Sequence, residues 1–382
     1  MNSHHFFRFL LSLATSTVLL AGGATAQNRE LVVAQVAPFG GPLAVSGRDF
    51  NLGAMIAFDE VNSQGGIRGT PVRLISRDDG YRPADTVAHV KDVLANYNPV
   101  ALLGMWGSDS VQAVLDSGAL TDSGLAVIGV RSGVSSLRSN TQLFHIRASY
   151  RDEVQRILDQ IATMGSSRIA FVYEDDAFGR EAIEDAKTLM AVRNIKPALL
   201  HKQGKNQLDV ANAIAQIAPV QPQALIIIAN TPVAAALIKG VRTAALSPFI
   251  FTTSTVDAEQ MASQLGGMAG GVAVAQGVPS PYRASAPIAL EFSKRIRDLG
   301  IDPARVNFSS MEGYVTAKVL IEGLRRSAAV SKGVSRKDVV KALEGMQRTD
   351  LGGFVVEFAA NKREGSRYVN LSMIGTDGRI RQ

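Results

Sequence analysis

The chain contains no cysteine in its 382 residues. This absence excludes disulfide bonds, thiolate metal sites and a lipid-modified cysteine that would anchor an exported protein. Net charge is also low, at +6, and charged residues make up only 19% of the chain. The sequence has no basic run and no basic stripe interleaved with aromatics, so we expect no nucleic-acid partner. A hydrophobic fraction of 46% instead indicates a well-packed globular protein.

Histidine pairs and metal-binding motifs are missing as well. Beyond residue 26 the only histidines are His89, His145 and His201, and none belongs to an HExxH or similar ligand pair. The acidic stretch EDDAFG, residues 174–179, lacks the alternating ligands of an EF-hand loop. We therefore expect no bound metal, no cofactor and no histidine-based catalysis.

Nucleotide and nucleophile motifs are absent from the glycine-rich segments. GMWGSDSVQ, residues 104–112, lacks the glycine and lysine that complete a Walker loop, and Ser108 lacks the Gly-x-Ser-x-Gly context of a nucleophile elbow. LGGMAGG, residues 265–271, lacks GxGxxG spacing and precedes a strand-like run. The sequence offers no set of residues with the types and spacing of a known catalytic motif, and we predict a non-enzymatic protein.

The N-terminal residues are typical of a secretory signal peptide. Arg8 ends a short polar start, residues 9–20 are mostly apolar, and Ala24-Thr25-Ala26 fits a small-x-small cleavage site. Cleavage after Ala26 would remove one cation and no acid, which lowers the net charge from +6 to +5. The sequence shows no second segment long and apolar enough to span a bilayer. We therefore expect an exported protein in a bacterial periplasm, without a lipid anchor.

Strand-like apolar runs alternate with helical patterns along the rest of the chain, which is too long for a single core. A first series of strand-like runs covers residues 31–36, 72–76, 100–105 and 126–130, and a second covers 168–173, 198–201, 224–229 and 249–252. Such alternation predicts α/β lobes with parallel sheets covered on both faces. The late helical patterns, residues 285–299, 309–326 and 336–346, continue neither series. They indicate that the chain re-crosses between two lobes.

Two acid pairs, Asp78-Asp79 and Asp175-Asp176, each end a strand-like run. Paired carboxylates at such a position can serve acid–base chemistry. They can also cap the next helix or face a hinge between lobes. The lack of any other catalytic constellation favours the capping or hinge interpretation.

Ser108 stands where an apolar run ends and a helical pattern begins. The first turn of a helix presents N–H groups without intrahelical partners and a partial positive charge, so an anion such as a carboxylate could bind here. Alternatively, Ser108 or Asp109 caps its own helix. Because ligands of open parallel sheets bind beyond the carboxyl ends of strands, the position favours an anion site.

Several segments, by their order and spacing, resemble the leucine/isoleucine/valine-binding-protein family of periplasmic substrate-binding proteins. They are residues 34–80, which contain the turn NSQGGIRG and end in Asp78-Asp79-Gly80, then GMWGSDSVQ at 104–112, IGVRSGVSSLR at 128–138, VYEDDAFGREA at 172–182 and SSMEGYVTAKVLIEGL at 309–324. The resemblance covers essentially the whole chain after residue 26.

The resemblance implies the type I periplasmic-binding fold, an α/β fold with two doubly wound parallel-sheet lobes joined by a three-crossover hinge. We place lobe one at residues 27–147 and 281–350, and lobe two at residues 148–280 and 351–382. It further implies a monomer that captures a small amino acid or other organic acid and delivers it to the membrane permease of an ABC importer. The alternative function is a periplasmic ligand sensor on the same fold, which signals to a receptor or regulator.

The resemblance also implies a set of ligand-binding residues in the cleft. The serine after the third strand of lobe one would hold a ligand carboxylate, and Ser46 stands in the first loop, where the family often places an aromatic wall. Lobe two would supply an aromatic side chain and polar groups. The residues are Ser46, Trp106, Gly107, Ser108, Arg131, Ser132 and Gly133 in lobe one, and Phe178, Asn230, Thr231 and Thr253 in lobe two.

Two positions depart from the pattern of the amino-acid binders in this family. Those proteins carry an acid near residues 252–255 that holds the ligand ammonium group, whereas this chain has Thr253 or Ser254 there and Asp257 nearby. Arg131 adds a cation where members often have an uncharged residue; it either faces the cleft or pairs with a surface acid. Both departures favour another carboxylate, such as an aromatic or dicarboxylic acid, over an α-amino acid.

Overall fold

The computed structural model describes residues 30–283, 285–331 and 333–382. The predicted signal segment, residues 1–26, lies outside these residues. Across the described ranges, no helix combines the length and apolar character needed to cross a membrane.

The first half of the chain forms a five-stranded parallel sheet with strand order β2-β1-β3-β4-β5. Its strands are β1 (Leu31–Ala37), β2 (Val72–Asp78), β3 (Ala101–Leu103), β4 (Val127–Ile128) and β5 (Leu143–Phe144). The helices between them are α1 (Ala44–Ser63), α2 (Pro83–Tyr97), α3 (Ser108–Asp116) and α4 (Ala119–Ser123). The central strands are apolar along their length because helices cover both faces of the sheet.

A second sheet begins after the chain leaves β5. It contains five parallel strands, β6 (Ile169–Glu174), β7 (Leu199–Gln203), β8 (Ala224–Ile228), β9 (Phe249–Thr252) and β10 (Val272–Gln276). The helices that alternate with them are α5 (Tyr150–Thr163), α6 (Ala177–Val192), α7 (Ala211–Val220), α8 (Thr231–Thr243) and α9 (Ala258–Leu265). Together the two sheets confirm the predicted α/β class with two parallel-sheet lobes.

The late elements return to the core of the first sheet. They are α10 (Pro287–Asp298), α11 (Phe308–Val330), α12 (Arg336–Glu344) and a hairpin of β11 (Gln347–Asp350) and β12 (Val355–Phe358). Helix α11 lies directly against α1 because both carry glycine where they cross: a Cβ on Gly53 would lie 1.8 Å from the carbonyl oxygen of Ser310. Strand β12 follows the expected lobe boundary at residue 350, yet its Phe358 ring packs edge-on against Phe144 of β5, with centroids 5.2 Å apart.

The last two strands, β13 (Asn370–Ile374) and β14 (Ile380–Arg381), join the second sheet. Strand β13 pairs antiparallel with β10, and β14 pairs antiparallel with β13, so the order of this sheet is β14-β13-β10-β9-β8-β6-β7. Within the residues that the structure describes, the chain therefore passes between the two sheets three times, after β5, after β10 and after β12.

Candidate functional site

Loops at the carboxyl ends of strands from both sheets enclose one cleft, where open α/β sheets place their ligands. The space between the lining side chains, its mouth included, is about 550 Å³. Seven of the sequence-predicted residues line it: Ser46, Trp106, Gly107, Ser108, Arg131, Phe178 and Asn230.

Ser108 is the first residue of α3, and it lines the cleft. The N-cap of this helix is Gly107, with φ +81° and no side-chain capping hydrogen bond. A Cβ on Gly107 would lie 2.7 Å from the Tyr81 ring, so only glycine allows this approach. The Ser108 Oγ lies 2.8 Å from the Ser132 Oγ, and both residues are buried. Ser108 therefore does not cap its helix through its side chain; it faces the cleft beside first-turn N–H groups that lack intrahelical partners.

Arg131 faces the cleft. Its N–H donates to the carbonyl of Met105 at 2.7 Å, and its carbonyl accepts from Gly107 N–H at 3.3 Å, which fixes the loop after β4 against the loop after β3. Its guanidinium lies 4.6 Å from the Trp106 ring centroid, a cation–π geometry. The Trp106 ring is in turn held edge-on by Phe50, with centroids 4.9 Å apart.

The Arg131 charge is buried and only loosely paired. One Nη lies 3.4 Å from the Glu312 carboxylate, and the other donates to Ser309 Oγ at 3.3 Å. Burial lowers the pKa of Arg131 to about 10, against the opposing effect of Glu312, so the side chain remains a cation at neutral pH. The alternative in which Arg131 pairs with a surface acid is wrong, because its partner is a buried carboxylate on α11.

Arg147, also in the cleft wall, binds Glu312 much more tightly. The two guanidinium–carboxylate contacts are 3.1 and 2.7 Å long and form a bidentate pair. A third guanidinium nitrogen donates to Ser254 Oγ at 2.8 Å, and the Ser254 N–H donates to Glu153 at 2.8 Å. This network links α11 of the first lobe to α5 and the loop after β9 of the second. Although burial disfavours the charge, Glu312 raises the pKa of Arg147 above its usual value.

Two carboxyl groups, Glu174 and Asp176, line the cleft on the side of the second sheet. Glu174 accepts hydrogen bonds from the N–H groups of Asn206 and Asn230, at 2.8 and 2.6 Å. Asp176 accepts from Gly179 N–H at 2.9 Å and so caps α6, as the capping interpretation predicts. Desolvation raises the pKa of both acids. The cleft thus has cations on one side and carboxyl groups on the other.

Four predicted residues lie behind the lining rather than in it. Ser132 supports Ser108, and Gly133 leaves room for the Tyr150 ring, 2.7 Å from where its Cβ would stand. Thr231 accepts from the Asp257 N–H at 2.9 Å. Thr253 Oγ1 lies 2.8 Å from Thr255 Oγ1.

The sequence reasoning missed seven residues that line the cleft. They are Leu43, Tyr81, Arg147, Tyr150, Glu174, Asp176 and Thr255. Tyr150 forms an aromatic wall with Phe178, their ring centroids 4.5 Å apart. Among these seven, only Asp176 carried a signal in the sequence, since it belongs to an acid pair at a strand end.

Glu259, on α9 outside the lining of the cleft, is a carboxyl group with a strongly raised pKa. Burial, then the nearby Asp257, raises the pKa of Glu259 from 4.5 to about 8. An acid whose pKa is higher in the folded state favours folding in its protonated form, so stability should fall as pH rises from about 4.5 towards 8. We expect the melting temperature to fall between pH 5 and pH 9, and less steeply in Glu259→Gln, by differential scanning fluorimetry. An equal slope in both proteins would contradict this assignment.

The chain is similar to known proteins both in sequence and in fold. A sequence model of the family described as periplasmic binding protein matches residues 30–379. A substrate-binding periplasmic protein from Ralstonia solanacearum is 31% identical, with a TM-score of 0.86 over 92% of this chain and 100% of that one. An amino acid binding protein from Pseudomonas aeruginosa is 22% identical over 90% of this chain and 89% of its own length. The Leu/Ile/Val-binding protein homolog 7 of Brucella suis is 21% identical over 53% of each protein, so that match spans about half of that relative.

Proposed function

Because this chain belongs to the periplasmic binding protein family, we propose that it captures a small carboxylate-bearing ligand in the cleft between its lobes. It is a ligand-binding protein of the Leu/Ile/Val-binding type. We propose that it acts as a periplasmic monomer, exported after cleavage near Ala26, and that its closed form delivers the ligand to the membrane permease of an ABC importer.

The observation that carries this proposal is the cleft position of Ser108. Ser108, at the first turn of α3, and Arg131 both line the cleft, and we propose that the Ser108 hydroxyl, the first-turn N–H groups and the Arg131 guanidinium together hold one ligand group. Such a set of donors suits a carboxylate, because hydrogen bonds to a charged group are shorter and stronger than those between neutral groups. Trp106 would fix the Arg131 guanidinium and exclude water from that side.

The opposite side of the cleft supports a ligand with a second, donor-bearing group. Asp176 uses one carboxylate oxygen to cap α6, and it stands beside Glu174. Two carboxyl groups there would repel the second carboxylate of a dicarboxylic acid and attract an ammonium or amide N–H. We therefore propose an amino acid as the ligand class, with Asp176 in place of the acid missing near Thr253.

Ligand capture would use the hinge between the lobes. We propose lobe one at residues 27–147 and 281–358, and lobe two at residues 148–280 and 359–382, since β12 packs on the first core. A ligand that touches both lobes favours the closed state by its differential affinity for that state.

A thermal-shift panel tests the proposal. Free amino acids, the corresponding amino-acid amides and dicarboxylic acids would be added to the purified protein. A free amino acid at 100 times its Kd should stabilise the fold by about 2.7 kcal/mol, whereas its amide, without the carboxylate, should stabilise it much less. Equal responses to acid and amide would overturn the carboxylate assignment. No response to any compound would overturn the proposed function.

A further inference from the structure

A lysine outside the cleft connects the two lobes at its mouth. Lys205, between β7 and α7, places its Nζ 2.5 Å from the carboxylate of Asp109 in the first turn of α3. The same Nζ lies 6.0 Å from the centroid of Tyr81, which lines the cleft. Neither partner of this ion pair lines the cleft itself.

The backbone beside Lys205 is fixed by the wall of the cleft. Glu174 accepts from the Asn206 N–H at 2.8 Å, and Asn206 Oδ1 accepts from Asn230 Nδ2 at 2.8 Å. Asn206 has φ +57°, a left-handed conformation that these contacts hold. Since Glu174 and Asn230 are cleft residues, the position of Lys205 depends on the same groups that line the cleft.

A second polar contact joins the lobes near α3, between α6 and the loop after β4. Glu181 on α6 accepts from the backbone N–H groups of Ser135 and Ser136, the latter at 3.3 Å, at the start of the 3₁₀ turn Ser135–Leu137. Helix α6 also packs against α3, which carries Asp109. The Lys205 pair therefore stands beside an interface that exists only when the lobes are together.

We propose that Lys205 is a latch that biases the lobes towards the closed state by pairing with Asp109, without contacting the ligand. The inference rests on the proposed function, since a closed state matters only if the cleft binds a ligand. About a third of each side chain is exposed, 36% for Lys205 and 37% for Asp109, so salt should screen the pair. The latch would slow ligand dissociation and leave association nearly unchanged.

The test measures closure directly, with no ligand. Because the chain has no cysteine, spin labels can be attached at Lys91→Cys on α2 and Thr188→Cys on α6, both exposed positions. Pulsed electron resonance then gives the interlobe distance distribution. In Lys205→Met, we expect the ratio of closed to open molecules to fall about two- to fivefold, the range of an exposed ion pair. Raising NaCl from 0.05 to 1 M should have the same effect on the wild type and little effect on the variant.

The matched control is Lys202→Met. Lys202 pairs with Asp175 at 3.1 Å, and both belong to the second lobe, so this change removes an ion pair without crossing the cleft. The control should keep the wild-type distances. A charge exchange gives a second check: the single change Lys205→Asp should reduce closure, and the double change Lys205→Asp with Asp109→Lys should restore it. Identical distances in wild type, Lys205→Met and Lys202→Met would overturn the latch. Because no ligand is used, this result is distinct from a failed thermal-shift panel, which overturns the proposed function.

Discussion

Replacing Arg147 by Met should lower the free energy of unfolding by about 3–5 kcal/mol, because it leaves buried acids without their cation. Glu312 would lose both bidentate contacts and keep only the 3.4 Å contact with Arg131. Glu153, which reaches the network through Ser254, would also lose its nearest cation. The change should therefore destabilise both lobes, since the network spans α5 and α11.

Urea denaturation at pH 7 measures this loss. The matched control is Arg151→Met, four residues further on, whose 3.0 Å pair with Asp185 is partly exposed and lies within one lobe. That change should cost about 0–1 kcal/mol. If Arg147→Met costs no more than the control, the buried network does not hold the lobes together.

Replacing Ser108 by Ala should weaken ligand binding by about 1.5–3 kcal/mol, or roughly 10- to 150-fold in Kd, the range of a hydrogen bond to a charged group. The change should leave the helix start intact, because α3 has no side-chain cap to lose. Isothermal titration calorimetry with the compound that gives the largest thermal shift would measure the affinity.

The control for this change is Ser110→Ala. Ser110 is a buried serine of the same helix that does not line the cleft. It should keep the wild-type affinity. If Ser108→Ala keeps its affinity and loses only thermal stability, the Ser108 hydroxyl supports Ser132 and does not bind ligand.

Elements with strong local signals could be predicted from the sequence. The pattern at residues 83–97 gives the observed bounds of α2, because proline at the first position and apolar residues at helical spacing agree. By contrast, the helical pattern of residues 108–123 is continuous in the sequence, yet the segment forms two helices, since Gly118 adopts φ +73° between them. No periodicity reveals β5, which is two residues long and is defined by its pairing with β4.

Buried polar residues hide the start of α1 from its sequence pattern. Its apolar pattern begins at Phe50, yet the helix begins at Ala44. Ser46 and Asp49 are buried in the first turns because they contact Asp257 and Asn307 of distant segments. Tertiary contacts of this kind leave no periodic signal.

The same distinction separates the cleft residues that could be predicted from those that could not. Ser108 and Arg131 follow well-marked apolar runs, so their position at the cleft could be inferred. Arg147 and Tyr150 follow the short β5, and Glu174 is the last residue of a strand. Their inward orientation depends on how the two lobes meet, which a pattern along one chain does not encode.

The most direct test of the account is a crystal structure with the compound that gives the largest thermal shift. We predict a ligand carboxylate within hydrogen-bonding distance of the Ser108 Oγ, with Arg131 beside it and a donor group of the ligand facing Asp176. A ligand bound outside this cleft, or one that presents its cationic group to Ser108, would contradict the account.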